Sequence, residues 1–258
     1  MSSLELIKKI RTLTGAGMID VQKALAEAGN DEQKTIDLLR QRGQKMASKR
    51  LDRETKEGVI AIAKADNKLA WAYLTCETDF VARNADFIAA AQGFADQTLT
   101  QGAEAVRTAA LAKVTSELVL KIGENIQFGD AEVFSGFVLG SYLHGNRKVA
   151  SVVVLTSGSP ETANDIAMQV AALRPDYLQP ADVPAEIIER EKGIYRKQLE
   201  TEGKPTEMIE KILPGKLEKF YSEVCLIKQK FVKDDSLTVE QYLKNNQAVI
   251  QSFKYLAL

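Results

Sequence analysis

The stretch LAWAYLTCETDFVARNADFIAAAQGFADQ, residues 69–97, determines the fold that we expect. Residues 69–76 are apolar and place alternate side chains on opposite faces, which is typical of a β-strand. In residues 85–97, apolar side chains recur at the spacing of one helix face. The segment between them, residues 78–84, combines an aromatic ring, a carboxylate and a cation. The stretch therefore predicts a strand, a loop and a helix, and loops on rigid elements often carry function.

The loop TDFVARN, residues 78–84, has two interpretations. In the first, Thr78 or Asp79 merely caps the next helix and Phe80 enters the core. In the second, the loop presents these side chains to a partner. The residues alone leave both interpretations open.

The order hairpin, loop, helix occurs twice along the chain. The first hairpin covers residues 59–76, and the second has strands at residues 134–143 and 149–156. Each hairpin is followed by a loop and a helical pattern. We therefore expect an α+β protein with a duplicated core of two halves, each with an antiparallel sheet, at residues 58–132 and 133–258.

The chain before this core predicts a helical module and a linker. Three short helical patterns separated by glycine-containing turns fill residues 1–43, and the third ends at Gly43. Residues 44–57 are charged and nearly free of large apolar side chains, which indicates a partly helical linker. Its cations permit a nucleic-acid-binding interpretation, but the interleaved acidic residues favour a solvated face.

Two charged helical patterns interrupt the second half. They flank the turn GKP at residues 203–205 and predict a helical hairpin inserted at about residues 184–225. This hairpin could project from the body or pack as two ordinary helices. After it, Thr238 begins a last helix with a weak capping box. The alternating end at residues 249–255 predicts a strand that rejoins a sheet.

Composition limits the classes of function. The 258 residues are 45% hydrophobic and 27% charged, as in soluble globular proteins, and the net charge of −1 argues against a dedicated nucleic-acid binder. Two distant cysteines and one histidine offer no zinc cluster. No apolar run is long enough for a membrane span. We expect a soluble cytoplasmic protein with reduced, buried cysteines, without a metal and without a membrane anchor.

Catalytic motifs are missing from the sequence. It contains no phosphate-binding GxxxxGK[ST] loop, no GxGxxG that opens a helix, no GxSxG, no HExxH and no kinase signature. The single histidine, His144, lies in a predicted hairpin turn, where a base is poorly held against a nucleophile. We therefore expect a protein-binding function, with no enzyme activity and no cofactor.

Several strings, in the same order along the chain, resemble the elongation factor Ts family of bacterial translation. They are GAGM at residues 15–18, TDFVARN at 78–84, KIGENI at 121–126, GSYLHG at 140–145, IAM at 166–168, GKP at 203–205 and KQKFV at 228–232. The resemblance implies that residues 1–43 form a ubiquitin-associated-like three-helix module. Two features depart from the family pattern: Gln169 stands where members often carry histidine, and the end at residues 251–258 is shorter and different.

The resemblance also implies a function. Such a protein would be a guanine nucleotide exchange factor that binds elongation factor Tu, nucleotide-free or with GDP, and promotes GDP release. Asp79 and Phe80 would enter the GTPase near its Mg²⁺ site, and Thr78 and Val81 would flank them. Further candidate contacts are Met18, Arg83, Asn84 and His144. The complex could be one-to-one or two-to-two. The alternative function is a non-catalytic adaptor that binds protein or RNA.

Overall fold

The computed structural model describes residues 3–258, without the side chains of residues 115 and 116. The chain divides into two compact units. Unit 1 consists of Met1–Phe134, Gly145–Val149 and Ala257–Leu258, and unit 2 consists of Ser135–His144 and Ala150–Leu256.

Three helices open unit 1, as the sequence predicts. They are α1 (Ser3–Thr14), α2 (Met18–Glu27) and α3 (Glu32–Arg50). Asp31 caps α3, because its side chain accepts a hydrogen bond from the Lys34 amide at 2.9 Å. The inward faces of the three helices share a small apolar core formed by Ile7, Ile10, Ala16, Val21, Ala24, Leu25 and Leu39.

The prediction that the third helix ends at Gly43 is wrong. Helix α3 continues to Arg50 because the turn after Gly43 also has an apolar face to bury. Ala47 is buried in the main core of unit 1, and Met46 packs against that core. The first half of residues 44–57 is therefore helical, and the assignment of these residues to a separate linker stays a prediction.

The sheet of unit 1 has three strands in the order β1-β2-β3. They are β1 (Glu57–Ala65), β2 (Lys68–Cys76) and β3 (Gln127–Ser135). Strands β1 and β2 form the predicted antiparallel hairpin, in which Glu57 lies opposite Cys76. Strand β3 is not predicted from the sequence, because it contains Gly129 and Asp130, two residue types that are rare in strands.

Helices cover this sheet. The short α4 (Asp79–Ala82) and the longer α5 (Ala85–Gln101) follow β2, and α5 packs against both strands of the hairpin. Helix α6 (Ala103–Lys113) continues through a π-helical turn, Val114–Leu118, into α7 (Val119–Ile122). This helical stretch ends at Gly123, whose φ of 87° is easily adopted only by glycine.

Unit 2 repeats the order hairpin, loop, helix. Its sheet has the order β4-β5-β8, with β4 (Val138–Leu143), β5 (Val149–Ser157) and β8 (Val249–Ala257). Helix α8 (Pro160–Leu173) packs on β4. The predicted single strand at residues 134–143 is wrong, because β3 ends at Ser135 and β4 begins at Val138. At Gly136 the backbone passes so close to β5 that a Cβ atom would lie 2.4 Å from Val154.

The rest of unit 2 contains the predicted helical hairpin and the last helix. Helices α9 (Ala185–Thr201) and α10 (Thr206–Val224) are joined by an ion pair between Arg196 and Glu210 at 3.1 Å. The short strands β6 (Lys230–Phe231) and β7 (Asp234–Thr238) precede α11 (Val239–Asn245). Thr238 and Gln241 form the predicted capping box, and β8 is the predicted returning strand.

Gln169, the departure from the family pattern, is fully buried in unit 2. Its amide group donates to the Gln229 side chain at 3.1 Å and to the Lys230 carbonyl at 3.0 Å. Its oxygen accepts the Val232 amide at 2.8 Å. Gln169 thus ties α8 to the segment around β6, because each polar group of its side chain has a partner inside the unit.

The fold is therefore α+β, with a helical opening, two units of the same hairpin-loop-helix order and a helical hairpin inserted in the second. Among the helices of the described residues, none combines the length and the apolar character needed to cross a membrane.

The close contact of β4 with α8 predicts a strong effect of one methyl group. A Cβ atom at Gly140 would lie 2.1 Å from the Ala163 carbonyl carbon, which belongs to the backbone and cannot move alone. We expect Gly140→Ala to lower the free energy of unfolding, measured by denaturant titration, by about 3 kcal/mol. As the control, Gly193→Ala in α9 meets no atom within 4 Å, and should be neutral or stabilise by up to about 1 kcal/mol. Equal stability of Gly140→Ala and the parent would contradict this close packing of β4 on α8.

Candidate functional site

The segment between β2 and α5 folds as a capped helical turn. The Thr78 hydroxyl accepts a hydrogen bond from the Val81 amide at 3.4 Å and so begins α4. At the other end, the Asn84 side chain accepts the amides of Asp86 at 2.8 Å and Phe87 at 3.3 Å and so begins α5. The prediction of a loop at residues 78–84 is wrong in this respect, because residues 79–82 form α4 and the next helix begins at Ala85.

A carboxylate from the segment after α7 holds this turn in place. Glu124 accepts the Glu77 amide at 3.1 Å and the Thr78 amide at 3.0 Å on one oxygen. Its other oxygen accepts the Thr78 hydroxyl at 2.6 Å. In return, the Glu77 carboxylate accepts the Asn125 amide at 2.6 Å. We name these two reciprocal carboxylates, Glu77 and Glu124, the carboxylate clamp.

The contacts of Glu77 favour its ionised form. The pKa of Glu77 is lowered, first by the hydrogen bond from the Asn125 backbone and then by Arg53, whose guanidinium lies 3.3 Å from the carboxylate. Arg53 is held in turn, since its carbonyl accepts the Asn125 side chain at 2.7 Å. The ionised form of Glu77 is therefore part of the folded arrangement.

Cys76, at the end of β2, takes part in the hydrogen bonds of this turn as a thiol. Its Sγ donates to the Thr78 carbonyl at 3.3 Å. Burial, followed by the nearby carboxylates Glu124 and Glu57, raises the pKa of Cys76 to about 12. Cys225 in unit 2 is also free and buried, with a pKa raised by burial to about 11. Both cysteines are neutral at pH 7, so they act as packed side chains rather than as nucleophiles.

Helix α4 separates its side chains into an inner and an outer set. Ala82 is buried, and Val81 packs against the core of unit 1. Phe80 points the other way and is 82% exposed. The interpretation that places Phe80 in the core is wrong. Thr78 does act as a cap, but for α4 rather than for the helix that begins at Ala85, which Asn84 caps. An apolar ring this exposed, on a turn this well fixed, is available for a partner.

Asp79 lies beside Phe80 on the outer side of α4. Its carboxylate pairs with Arg83 at 3.0 Å, with side chains that are 44% and 80% exposed. An ion pair at this exposure contributes little to stability, about 0–1 kcal/mol, because water screens it. Both groups therefore remain free to change partners at low cost.

The other predicted contacts lie on separate elements. Met18 begins α2 and is exposed, as are its neighbours Leu13 and Ile19, so the junction of α1 and α2 presents an apolar surface. His144 follows the hairpin strand β4 in unit 2, and its Nδ1 lies 3.1 Å from the Tyr142 hydroxyl. The structure thus gathers Thr78, Asp79, Phe80, Val81, Arg83 and Asn84 around α4, whereas Met18 lies in α2 and His144 lies in unit 2.

Glu124 is a residue of the candidate site that the sequence does not predict. The string KIGENI indicates only a family, and nothing local indicates that Glu124 reaches Thr78 across 46 positions. The one signal for this contact is that Glu124 directly follows Gly123, the glycine that ends a helix. The amides after β2 need an acceptor, and a carboxylate can supply it.

Helix α4 and the carboxylate clamp fall within a family match. The model of the family Elongation factor TS matches residues 77–258, a range that begins at the carboxylate clamp. The chain belongs to the elongation factor Ts family. "Elongation factor Ts" of Hydrogenobaculum sp. (strain Y04AAS1) is 41% identical over 264 residues, which cover 97% of this chain and 96% of that protein. The same-named proteins of Deinococcus radiodurans and Aquifex aeolicus are 43% and 37% identical, over 93% and 95% of this chain and 94% and 92% of theirs.

Membership of the elongation factor Ts family gives the chain a role in translation elongation, and so in protein biosynthesis. The matches cover both units and nearly the full length of these relatives, so the role belongs to the whole chain rather than to one module.

The carboxylate clamp predicts how α4 responds to loss of Glu124. Glu124→Ala leaves two strand-end amides without an acceptor, at about 1–3 kcal/mol for each unsatisfied donor. We expect hydrogen exchange of the Glu77 and Thr78 amides, measured by NMR, to accelerate at least tenfold, with little change in the amides of β1. Glu124→Gln keeps one oxygen as an acceptor and should show a smaller effect. Unchanged protection of both amides in Glu124→Ala would show that the clamp does not hold the turn.

The lowered pKa of Glu77 predicts a dependence of stability on pH. Because the pKa is lower in the folded state than its usual value near 4.5, Glu77 stabilises the fold above that value, and this contribution is lost as the pH falls through the folded-state pKa. The free energy of unfolding should therefore fall more steeply below about pH 4.5 in the parent than in Glu77→Gln. Identical pH profiles for the two proteins would show that the Asn125 and Arg53 contacts do not favour the ionised form.

Proposed function

We propose that this protein binds elongation factor Tu and accelerates the release of GDP, without making or breaking a covalent bond. The observation that carries the proposal is the exposure of Phe80, at 82%, on a turn held by the carboxylate clamp. Phe80 acts as an apolar wedge that enters the GTPase close to its Mg²⁺ site. The resemblance of TDFVARN to the family signature supports this role for the segment.

The energy for the wedge comes from burial of the ring. Transfer of a phenylalanine side chain from water into an apolar pocket is worth roughly 1.5–3 kcal/mol. The clamp, the Thr78 cap and the Asn84 cap fix the backbone before the partner arrives, so little conformational entropy is lost on binding. The free energy gained by burying the ring is therefore available to distort the partner.

Asp79 acts on the polar part of the partner's site. Mg²⁺ demands regular octahedral coordination by oxygen atoms and bridges nucleotide phosphates to the protein. A carboxylate that reaches this region can accept backbone amides or compete for polar groups around the metal. Once the metal is disturbed, the phosphate charge is poorly neutralised, and GDP dissociates faster.

Thermodynamic linkage makes the exchange reversible. If the protein weakens nucleotide binding by some factor, nucleotide weakens the binding of the protein by the same factor. Incoming GTP can therefore displace the protein and release the GTPase for another cycle. A tight complex with nucleotide-free elongation factor Tu, dissociated by nucleotide, belongs to the proposal.

A factor that distorts its partner needs a broad interface. We assign the exposed apolar residues Leu13, Met18 and Ile19 to a second contact with the GTPase domain. His144, on unit 2, is proposed to contact another domain of the partner. The proposal includes action in the cytoplasm and leaves one-to-one and two-to-two assemblies as its two stoichiometries.

The experiment is stopped-flow release of fluorescent GDP from elongation factor Tu. The parent should accelerate release strongly, and Phe80→Ala should lose at least tenfold of that acceleration, which corresponds to about 1.4 kcal/mol. Phe137→Ala is the matched control, because Phe137 is 84% exposed but lies in unit 2, and it should keep the parent's rate.

Each result decides a different part of the proposal. No acceleration by the folded parent would overturn the exchange function and favour the adaptor, which an RNA-retention assay at several salt concentrations would then test. Equal acceleration by the parent and Phe80→Ala would keep the function and remove the wedge. An equal loss of acceleration in Phe80→Ala and Phe137→Ala would indicate non-specific hydrophobic contacts of exposed rings rather than a specific role of α4.

A further inference from the structure

A polar cleft of about 620 Å³ lies in unit 1 beside α4. Its lining residues are Glu57, Asp79, Ala82, Arg83, Ile88 and residues 145–148. We infer that this cleft receives a carboxylate-bearing segment of the GTPase partner, and that Arg147 is the cation that binds it. The inference rests on the proposed function, because α4 forms one wall of the cleft and would bring the partner to it.

The charges of the cleft favour an acidic occupant. Two of its three cations already have acidic partners: Arg83 pairs with Asp79 at 3.0 Å, and Lys148 pairs with Glu57 at 2.5 Å. Within the described part of the chain, the half-buried Arg147 guanidinium has neither an ion pair nor a hydrogen bond. The cleft therefore carries one uncompensated positive charge, and a carboxylate is the protein group that a guanidinium binds best.

The backbone around Arg147 is fixed from several sides. The Arg147 carbonyl accepts the Ile60 amide of β1 at 2.8 Å. The next residue, Lys148, donates its amide to the Asn146 side chain at 3.0 Å, and its carbonyl accepts the Leu258 amide at 3.0 Å. The guanidinium therefore extends from a rigid base, and the cleft needs little rearrangement to bind.

The conformation of Arg147 argues that its side chain has a use. Its φ is 57°, in the left-handed region that glycine or asparagine adopts with less strain. A turn that served only the backbone would be more stable with one of those residues. A strained arginine whose side chain has no bonding partner among the described residues indicates a role outside the fold.

The position of the charge predicts its kinetic effect. A cation at the edge of an interface acts mainly on the association rate, and salt weakens that effect. Removal of Arg147 should therefore slow association with the partner more at low than at high ionic strength. The effect should exist with nucleotide-free partner, since the proposed ligand is a carboxylate of the protein and not a phosphate of the nucleotide.

The test compares three folded variants with the parent for association with nucleotide-free elongation factor Tu, at low and high salt. Arg147→Gly removes the side chain and the strain, so its melting temperature should be equal or higher while its association rate at low salt falls at least fivefold. Arg147→Lys keeps the charge and should keep most of the rate. Lys68→Ala removes one exposed cation in β2 at the end remote from Cys76, and should match the parent.

The outcomes separate this inference from the proposed function. If the parent accelerates GDP release but Arg147→Gly associates like the parent, the cleft has no such role and the exchange function stands. If Arg147→Gly melts lower, Arg147 is structural and the inference fails. An effect seen only with GDP-bound partner would assign Arg147 to phosphate and also overturn it. A parent without exchange activity removes both proposals together.

Discussion

The hydrogen bonds of the Glu124 carboxylate to the end of β2 are the interaction on which the candidate site depends. A strand that stops at Cys76 leaves the next backbone amides without a ladder partner, and Glu124 accepts two of them together with the Thr78 hydroxyl. Burial of such donors without an acceptor would cost more than the hydrogen bonds themselves contribute. The clamp therefore fixes the end of β2 and the direction in which α4 begins. The orientation of Phe80 follows from that direction.

Much of the fold could be predicted because its signals are local. The hairpin β1-β2, the helices after it and the capping box at Thr238 each have their signal within a few residues. The failures have a shared cause. Helix α3 passes Gly43 because Ala47 finds a core formed by distant elements, and β3 pairs with β2 although Gly129 and Asp130 weaken its own signal. Tertiary packing overrides local preference in both cases.

The candidate site was predictable only in part, for the same reason. The composition of TDFVARN left two interpretations open, because the residues alone could not decide whether Phe80 faces the core or the solvent. That choice depends on which side of α4 fits the core, and Val81 and Ala82 occupy the inner side. Glu124 and Arg147 could not be predicted from the sequence, since the first acts across 46 positions. The second is defined by a backbone angle and by the partners it lacks within the described chain.

Two positions in unit 1 are unfavourable when each is considered alone. Phe80 leaves an aromatic ring in water, and Arg147 combines a left-handed backbone with a guanidinium that has no ion pair among the described residues. The backbone near both positions is held by hydrogen bonds: the carboxylate clamp holds Thr78 at the start of α4, and the backbone of Arg147 and Lys148 is bonded to Ile60, Asn146 and Leu258. Because Phe80 and Arg147 each combine an unfavourable feature with a well-held backbone, a binding partner explains them better than the requirements of folding do.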